Sequence, residues 1–365
     1  MRVYFYPHAY LRDRHLDTIR FWPAEEVVNP EMLQGRTGAQ VSRTAALKGG
    51  ISKSWKQKLP LVNIKRRPPG LDRDTVVYVW GAIMGSGPFI TDLDNPYGLV
   101  GYNLNAMPLW RPVLRRLLES PRCKGIRCMS EACREGVRVL FGPKAAAKAT
   151  VHYPRVTLTA PPPEPCKTTA PRFLFIGTQF DIKGGAPLLR AWSRVRDAVP
   201  EATLDVITHL PPRHAALADQ PGLTVHEARF SRDEIWSDFM RRADVLVLPT
   251  YVESFGMVAL EALAHGLAVI ATDVYALKEM VRDGVNGCLV QPPISVWDGV
   301  MPSDLQRRLD QADTIVQAVD TAAFEAALVS AMIETVRSPE RLLQYRHESL
   351  ALFQARFGGA APGKA

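Results

Sequence analysis

No stretch of this chain reaches eighteen consecutive apolar residues, so no transmembrane helix is expected. The amino terminus, MRVYFYPHAYLRD, lacks the apolar core and small-residue cleavage site of a signal peptide. Any membrane contact is then expected to be peripheral. Cysteine is scarce, with five in 365 residues, and a disulfide scaffold is excluded. Cys123, Cys128 and Cys133 are evenly spaced, but LLESPRCKGIRCMSEACREG reads as turn, strand and helix. A metal knuckle needs closer pairs and further ligands, so thiols in a reducing cytosol are the expectation. Repeats and low-complexity segments are absent. No aromatic platform or recognition helix accompanies the basic runs, which argues against nucleic acid.

What is present points to an α/β protein that handles an anion. A length of 365 residues suggests two domains, and a hydrophobic content of 47% is ample for two cores. The formal charge is +8. It is concentrated in the first half: residues 43–73 hold nine Lys/Arg and one acid, and residues 111–148 hold ten and three. Such an excess suits an anionic membrane surface or a phosphorylated acceptor, and equally a plain solvated face.

The first half opens on a strand, MRVYFY, and continues through a polar, basic stretch, 12–71, dotted with Gly and Pro. TVVYVWGA predicts a strand and glycine turn, and PFITDLDNPYGLV places Asp92, Asp94 and Asn95 in a loop. Residues 109–118 read as a helix, KGIRCMS as a strand, and Ser130 with Glu131 opens a further helix to about Phe141. PPPEPCKTTAP, 161–171, is the predicted linker, because its prolines suit neither helix nor central strand. After it, strands (RFLFIGT, ATLDVIT, LTVHEA, VLVLP, LAVIAT, NGCLV) alternate with helices, the rhythm of a parallel doubly wound sheet. Residues 296–314 read as a loop or insertion, and 321–334 and 339–357 as terminal helices.

The most informative segment is ADVLVLPTYVESFGMVALEALAHGLAVIATDV, 243–274. An apolar strand runs through a short loop into a helix opening near Phe255–Gly256, which is how α/β proteins build phosphate sites. Glu253 and Glu261 bracket that opening, eight residues apart, about 12 Å along an ideal helix. Carboxylates beside a diphosphate are repelled by it, so their expected task is to grip hydroxyl groups. Phosphate and hydroxyls together suggest a nucleotide sugar.

FIGTQFDIKGG, PTYVESFGMVALEALAHGLAVIATD and KEMVRDGVNGCLV, in this order and spacing, resemble the family 4 retaining glycosyltransferases. The resemblance implies an α/β protein of GT-B type, with two Rossmann-like domains facing across a cleft. It sets an N-terminal domain at 1–160 on the acceptor side, the linker at 161–171, and a donor-side domain at 172–340. A terminal helix, 341–365, is expected to pack back on the first domain. The first domain is atypical, because PHAYLRDRH stands where relatives carry a glycine-rich loop. Only KGIRCMSEACREGV looks familiar there.

The resemblance also implies roles. Glu253 contacts the donor sugar, and Glu261 binds the ribose. Ser254, Phe255, Gly256 and Met257 offer backbone N–H groups to the diphosphate, aided by the helix dipole. Gly177 and Thr178 border the same site. Lys183 neutralises the diphosphate as it leaves. Many relatives have an arginine where this chain has Thr178; Arg229 and Lys278 are weak substitutes. Asp92 and Asp94 are candidates for sugar contacts from the first domain, with a metal pair or a polar loop as alternatives. Asp273 and the histidines His8, His15 and His152 have weaker claims, and His152 reads as structural. No metal and no cofactor are expected, since basic groups and helix dipoles take the ion's place in this fold.

The expected activity is that of a retaining hexosyltransferase-type enzyme. It moves a sugar from a nucleotide diphosphate sugar to a hydroxyl of a glycan, lipid-linked or small-molecule acceptor. The alternative, motivated by Thr178 and the unusual first domain, is a catalytically weak nucleotide-sugar-binding subunit that acts with a partner. The expected location is cytoplasmic, with peripheral contact to an anionic membrane face as a further expectation.

Overall fold

The structure, a computed structural model, describes residues 1–7, 11–34, 60–158, 160–303 and 316–358. The described residues divide into two compact units: those of Met1–Arg155 with Gly299–Pro302, and those of Val156–Asp298 with the remaining described residues from Ser303 onward. Much of the basic run at 43–73, and His8, lie outside the described residues.

The first unit holds a parallel five-stranded sheet. Its strands are β1 (Val3–Phe5), β2 (Val76–Trp80), β3 (Phe89–Leu93), β4 (Cys123–Cys128) and β5 (Ala149–Val151). They lie side by side in chain order, β1-β2-β3-β4-β5. Every residue of β2, VVYVW, is buried, because both faces of the sheet are covered. Val77 and Val79 join the larger core with Phe89, Leu114 and Phe141. Tyr78 and Trp80 face Phe5 and Ile19 in a second, aromatic core. Helix α1 (Asp13–Arg20) covers that side, and α2 (Ala106–Glu119) and α3 (Glu131–Phe141) cover the other. Ser130 caps α3 by accepting from Cys133 N at 3.0 Å, as the sequence predicts. One expectation needs correcting: β3 extends through Leu93, so Asp92 is a buried strand residue and not part of a loop.

The second unit holds a parallel six-stranded sheet. Its strands are β6 (Arg172–Gln179), β7 (Thr203–His209), β8 (Leu223–Glu227), β9 (Val245–Leu248), β10 (Ala268–Thr272) and β11 (Gly287–Val290). The spatial order is β8-β7-β6-β9-β10-β11. Counted from β6, this is the doubly wound order 3-2-1-4-5-6, which reverses between its first and fourth strands. Helices α4 (Gly185–Ala198), α5 (Met257–Ala264), α6 (Ala322–Val336) and α7 (Pro339–Leu352) pack around it. ALKEMVRDG, between the last two strands, forms only a single tight turn at Leu277–Glu279.

Helix α7 packs within the second unit, against α5, α6 and β10. There Arg346 donates to Asp244 Oδ1 at 2.6 Å and to Gly266 O at 2.9 Å. The proline-rich segment 161–171 is also held to this unit. Pro161 O accepts from Arg241 at 2.6 Å, and Lys167 reaches Glu340 at 2.8 Å. The division between the units falls just before that segment, at Arg155–Val156.

Candidate active site

In a doubly wound sheet, ligands bind beyond the carboxyl ends of the strands where the order reverses. Here that point lies between β6 and β9. The end of β6 carries Gly177 and Thr178, and the segment after it Lys183; the segment after β9 carries Glu253 to Gly256. Two glycines permit the construction. Gly184, at φ 75°, opens α4 so close to β9 that a Cβ would lie 1.9 Å from Pro249 O. Gly256, at φ 95°, opens α5, and a Cβ there would meet Leu277 Cδ2 at 2.5 Å. Tyr251 N donates to Ile182 O at 2.9 Å, lacing the two loops together.

This lacing brings Lys183 and Glu253 into contact. Lys183 Nζ donates to Glu253 Oε2 at 2.8 Å and to Val252 O at 3.0 Å. The two side chains are 21% and 18% exposed, so the pair is sheltered yet reachable. Ser254 N donates back to Glu253 Oε1 at 3.2 Å. Trp297 Nε1 fixes the Glu253 carbonyl at 3.2 Å. Phe255 is buried and packs the loop down. Met257 is the first residue of α5, whose opening N–H groups have no partner within the helix. Because α5 begins at Met257, Glu261 stands on it while Glu253 precedes it, and the helical spacing assumed for the pair does not apply.

Glu261 has a partner that the motif does not announce. Arg232 Nε lies 3.1 Å from Glu261 Oε1, and the guanidinium stacks 4.2 Å from the Trp236 ring. Ser231 caps the turn that presents Arg232, and nothing in SRDE points to Glu261. Thr178 is exposed at the end of β6. Of the weak substitutes, Lys278 is 4.0 Å from Asp273 Oδ1. The arginine tied to the Lys183 loop is Arg213, which with His214 grips the buried Asp181.

The turn after β10 carries Tyr275 and Ala276. Tyr275 takes the left-handed conformation at φ 47° and stacks on Trp297, with ring centroids 4.2 Å apart. The backbone shape that glycine gives freely is thus held by a side-chain stack. Asp273 accepts from Gln291 at 3.3 Å.

The first-unit candidates have firm structural partners. Asp92 accepts from the buried Tyr78 hydroxyl and lies 3.3 Å from Arg14 Nη1. Burial, then the Asp92 charge, push the Tyr78 phenol well above its usual pKa, so it stays a donor. Asp94 accepts from Tyr102 Oη at 2.8 Å and from Asn95 N at 2.8 Å. His15 is buried against Trp80. His152 bonds Thr150 Oγ1 at 2.9 Å. Among the described residues, no three His, Cys, Asp or Glu gather as a metal site. No helix among them is long and apolar enough to cross a membrane.

Residues 170–297, which contain the whole of this second-unit site, match the family model of the glycosyl transferases group 1. This segment resembles a group 1 glycosyltransferase domain. Over 131 residues the chain is 37% identical to a D-inositol 3-phosphate glycosyltransferase of Streptomyces griseus, covering 32% of this chain and 28% of that one. A Mycobacterium protein of the same name is 33% identical over 174 residues, covering 46% and 36%. The chain thus spans about a third of the length of these curated relatives. Among solved structures, Anabaena HepE in complex with UDP superposes with a TM-score of 0.59 at 12% identity, covering 98% of this chain and 96% of that one. The pneumococcal O-GlcNAc transferase GtfA in complex with UDP and GlcNAc gives 0.51 at 14% identity, covering 79% and 55%. The fold is of GT-B type. The family match lies within the second unit, and the likeness in fold to HepE covers 98% of the chain.

Proposed function

We propose that the protein is a retaining glycosyltransferase that takes a sugar from a nucleotide diphosphate sugar and passes it to an acceptor hydroxyl. The observation that carries this reading is the Lys183–Glu253 pair, 2.8 Å apart, at the strand-order reversal of the group 1 domain. A cation and a carboxylate held together there suit the two ends of one bond. Lys183 and the α5 amino terminus take the diphosphate. Glu253 turns to the sugar hydroxyls, and Glu261, released from Arg232, to the ribose. The bond from the anomeric carbon to the phosphate oxygen breaks. A bond from that carbon to the acceptor oxygen forms on the same face, and the acceptor proton passes to the departing diphosphate. No protein base is required in this route. Lys183 stabilises charge that grows as the bond breaks, which is where a fixed cation accelerates a reaction. The UDP in the HepE and GtfA structures makes UDP-sugars the first donors to test.

The acceptor belongs to the first unit in this reading, on a glycan, a lipid-linked glycan or a small molecule. Its excess basic charge favours peripheral contact with anionic lipid, which liposome flotation tests. Thr178, standing where many relatives have an arginine, favours a second reading: a nucleotide-sugar-binding subunit with weak turnover of its own. Slow hydrolysis of the donor without acceptor separates the two, since a binding subunit leaves the donor intact. The decisive screen is a thermal shift against UDP, GDP, ADP, TDP and their sugar conjugates. A shift with one nucleotide family, lost in Glu261→Ala, is expected. No shift with any of them would overturn the donor site. Retention is read from the anomeric proton coupling of the product, and an inverted product refutes it.

A further inference from the structure

The first unit contains a cavity of about 330 Å³ that none of the donor chemistry uses. Its size falls within the range of small-molecule sites, about 300–1,000 Å³. It opens where ligands gather in parallel sheets, beyond the carboxyl ends of β3, β4 and β5. Asp92 comes from β3 and Arg127 from β4, while His152 and Arg155 follow β5, and α1 supplies Arg14.

Its charges do not balance. Asp92 is the one carboxylate deep in the wall, and it is already shared by Tyr78 and by Arg14 at 3.3 Å. Glu26 at the rim accepts from Trp22 Nε1 at 3.0 Å and from the Met1 ammonium at 2.6 Å. Arg127 and Arg155 therefore face the cavity without a carboxylate of their own among the described residues. Aromatic faces hold them instead. Arg127 lies 5.1 Å from the Trp22 ring and 5.8 Å from Tyr78, and Arg155 lies 4.6 Å from Phe21. Stacking fixes the flat of a guanidinium and leaves its N–H edge for a ligand. The Arg127 Nε is buried and makes no hydrogen bond, so the neighbouring aromatic rings and not polar partners hold this end of the side chain. His152 registers the same field: burial first, then the charge of Arg127, push it down to about 4. It is neutral at pH 7 and adds no positive charge.

We propose that this cavity is an oxyanion site in which Arg127 and Arg155 hold the phosphate of a phosphorylated acceptor. Two unpaired guanidinium groups match the two charges of a phosphate monoester, and their planar forks match its oxygens. Naming the ligand an acceptor rests on the transferase reading above; the binding of a phosphate ester does not.

The test is isothermal titration of the full chain with a hexose 6-phosphate, the parent hexose and the corresponding hexuronate. The phosphate ester is expected to bind saturably and the parent hexose not at all. Arg155→Gln, at an exposed position that leaves the core intact, is expected to weaken binding about tenfold, and Arg127→Gln at least as much. Asp92→Asn, which removes a competing negative charge, is expected to tighten it. Nucleoside diphosphate affinity should be unchanged in Arg155→Gln. Phosphate ester binding that ignores both arginine substitutions overturns the site. Equal binding of the hexuronate overturns the assignment to phosphate. If the phosphate ester binds and no nucleotide does, this site stands and the donor reading falls.

Discussion

The resting ion pair between Lys183 and Glu253 makes an unusual forecast: one substitution should tighten nucleotide binding while slowing turnover. A diphosphate that takes Lys183 must first break its bond to Glu253 Oε2, 2.8 Å long. Glu253→Gln keeps the side-chain shape and the acceptor for Ser254 N, but removes the competing charge. Lys183 retains Val252 O at 3.0 Å and is not set loose. Exposed ion pairs contribute about 0.2–1 kcal/mol, and hydrogen bonds to charged groups in drier places about 1.5–3 kcal/mol. With side chains 21% and 18% exposed, this pair falls between them, at about 1.4 kcal/mol. Free nucleoside diphosphate is therefore expected to bind Glu253→Gln about tenfold more tightly. Turnover of the sugar conjugate is expected to fall about a hundredfold, because the sugar loses its carboxylate partner in the transition state. Titration calorimetry gives the first number and initial rates give the second. If affinity and turnover fall together, Glu253 is merely holding the loop, and the division of labour argued here is wrong.

Other outcomes follow from the same geometry. Gly184→Ala meets Pro249 backbone oxygen and should cost more than about 3 kcal/mol, whereas Gly256→Ala meets a movable Leu277 side chain and should cost about 1–3 kcal/mol, a ranking that denaturant melts check. Tyr275→Ala should destabilise more than Tyr275→Gly, since both lose the Trp297 stack but only glycine relieves φ 47°. Arg232→Gln should lower the melting temperature by a few degrees and alter nucleotide affinity, because it strips Glu261 of its partner. His152, lowered from its ordinary 6.5 to about 4, takes up a proton more readily in the unfolded chain. The stability it contributes is full above pH 6.5 and is lost as pH falls towards 4; a pH series of melts on His152→Asn should show a flatter acid limb.

The second unit was largely legible because its signals are local. Apolar strands, the prolines, Gly184 and Gly256 and the Glu-x7-Glu spacing each act within a few residues. Sequence placed Lys183 and Glu253 in one site, and the fold brings them to 2.8 Å. What escaped was long-range. Nothing near Arg232 says that it will meet Glu261, and nothing near Arg14, Arg127 or Arg155 says that three elements will converge on one cavity. Asp92 was misplaced in a loop because an acid is disfavoured in a strand, and only Tyr78 and Arg14 make it tenable there. Tyr275 hid a glycine-like turn behind a bulky side chain.

The reversal of strand order in the second unit also bears on how a ribosome must deliver it. β6 is the strand next to the reversal, and its two edges are completed at different times. β7 covers one edge soon after β6 emerges, while the other waits for β9, made only after β7 and β8. During that interval an apolar strand, RFLFIGTQ, offers an open row of backbone groups to any neighbouring chain. Nascent chains stalled between β8 and β9 are thus the species most prone to aggregate and the ones a chaperone should hold.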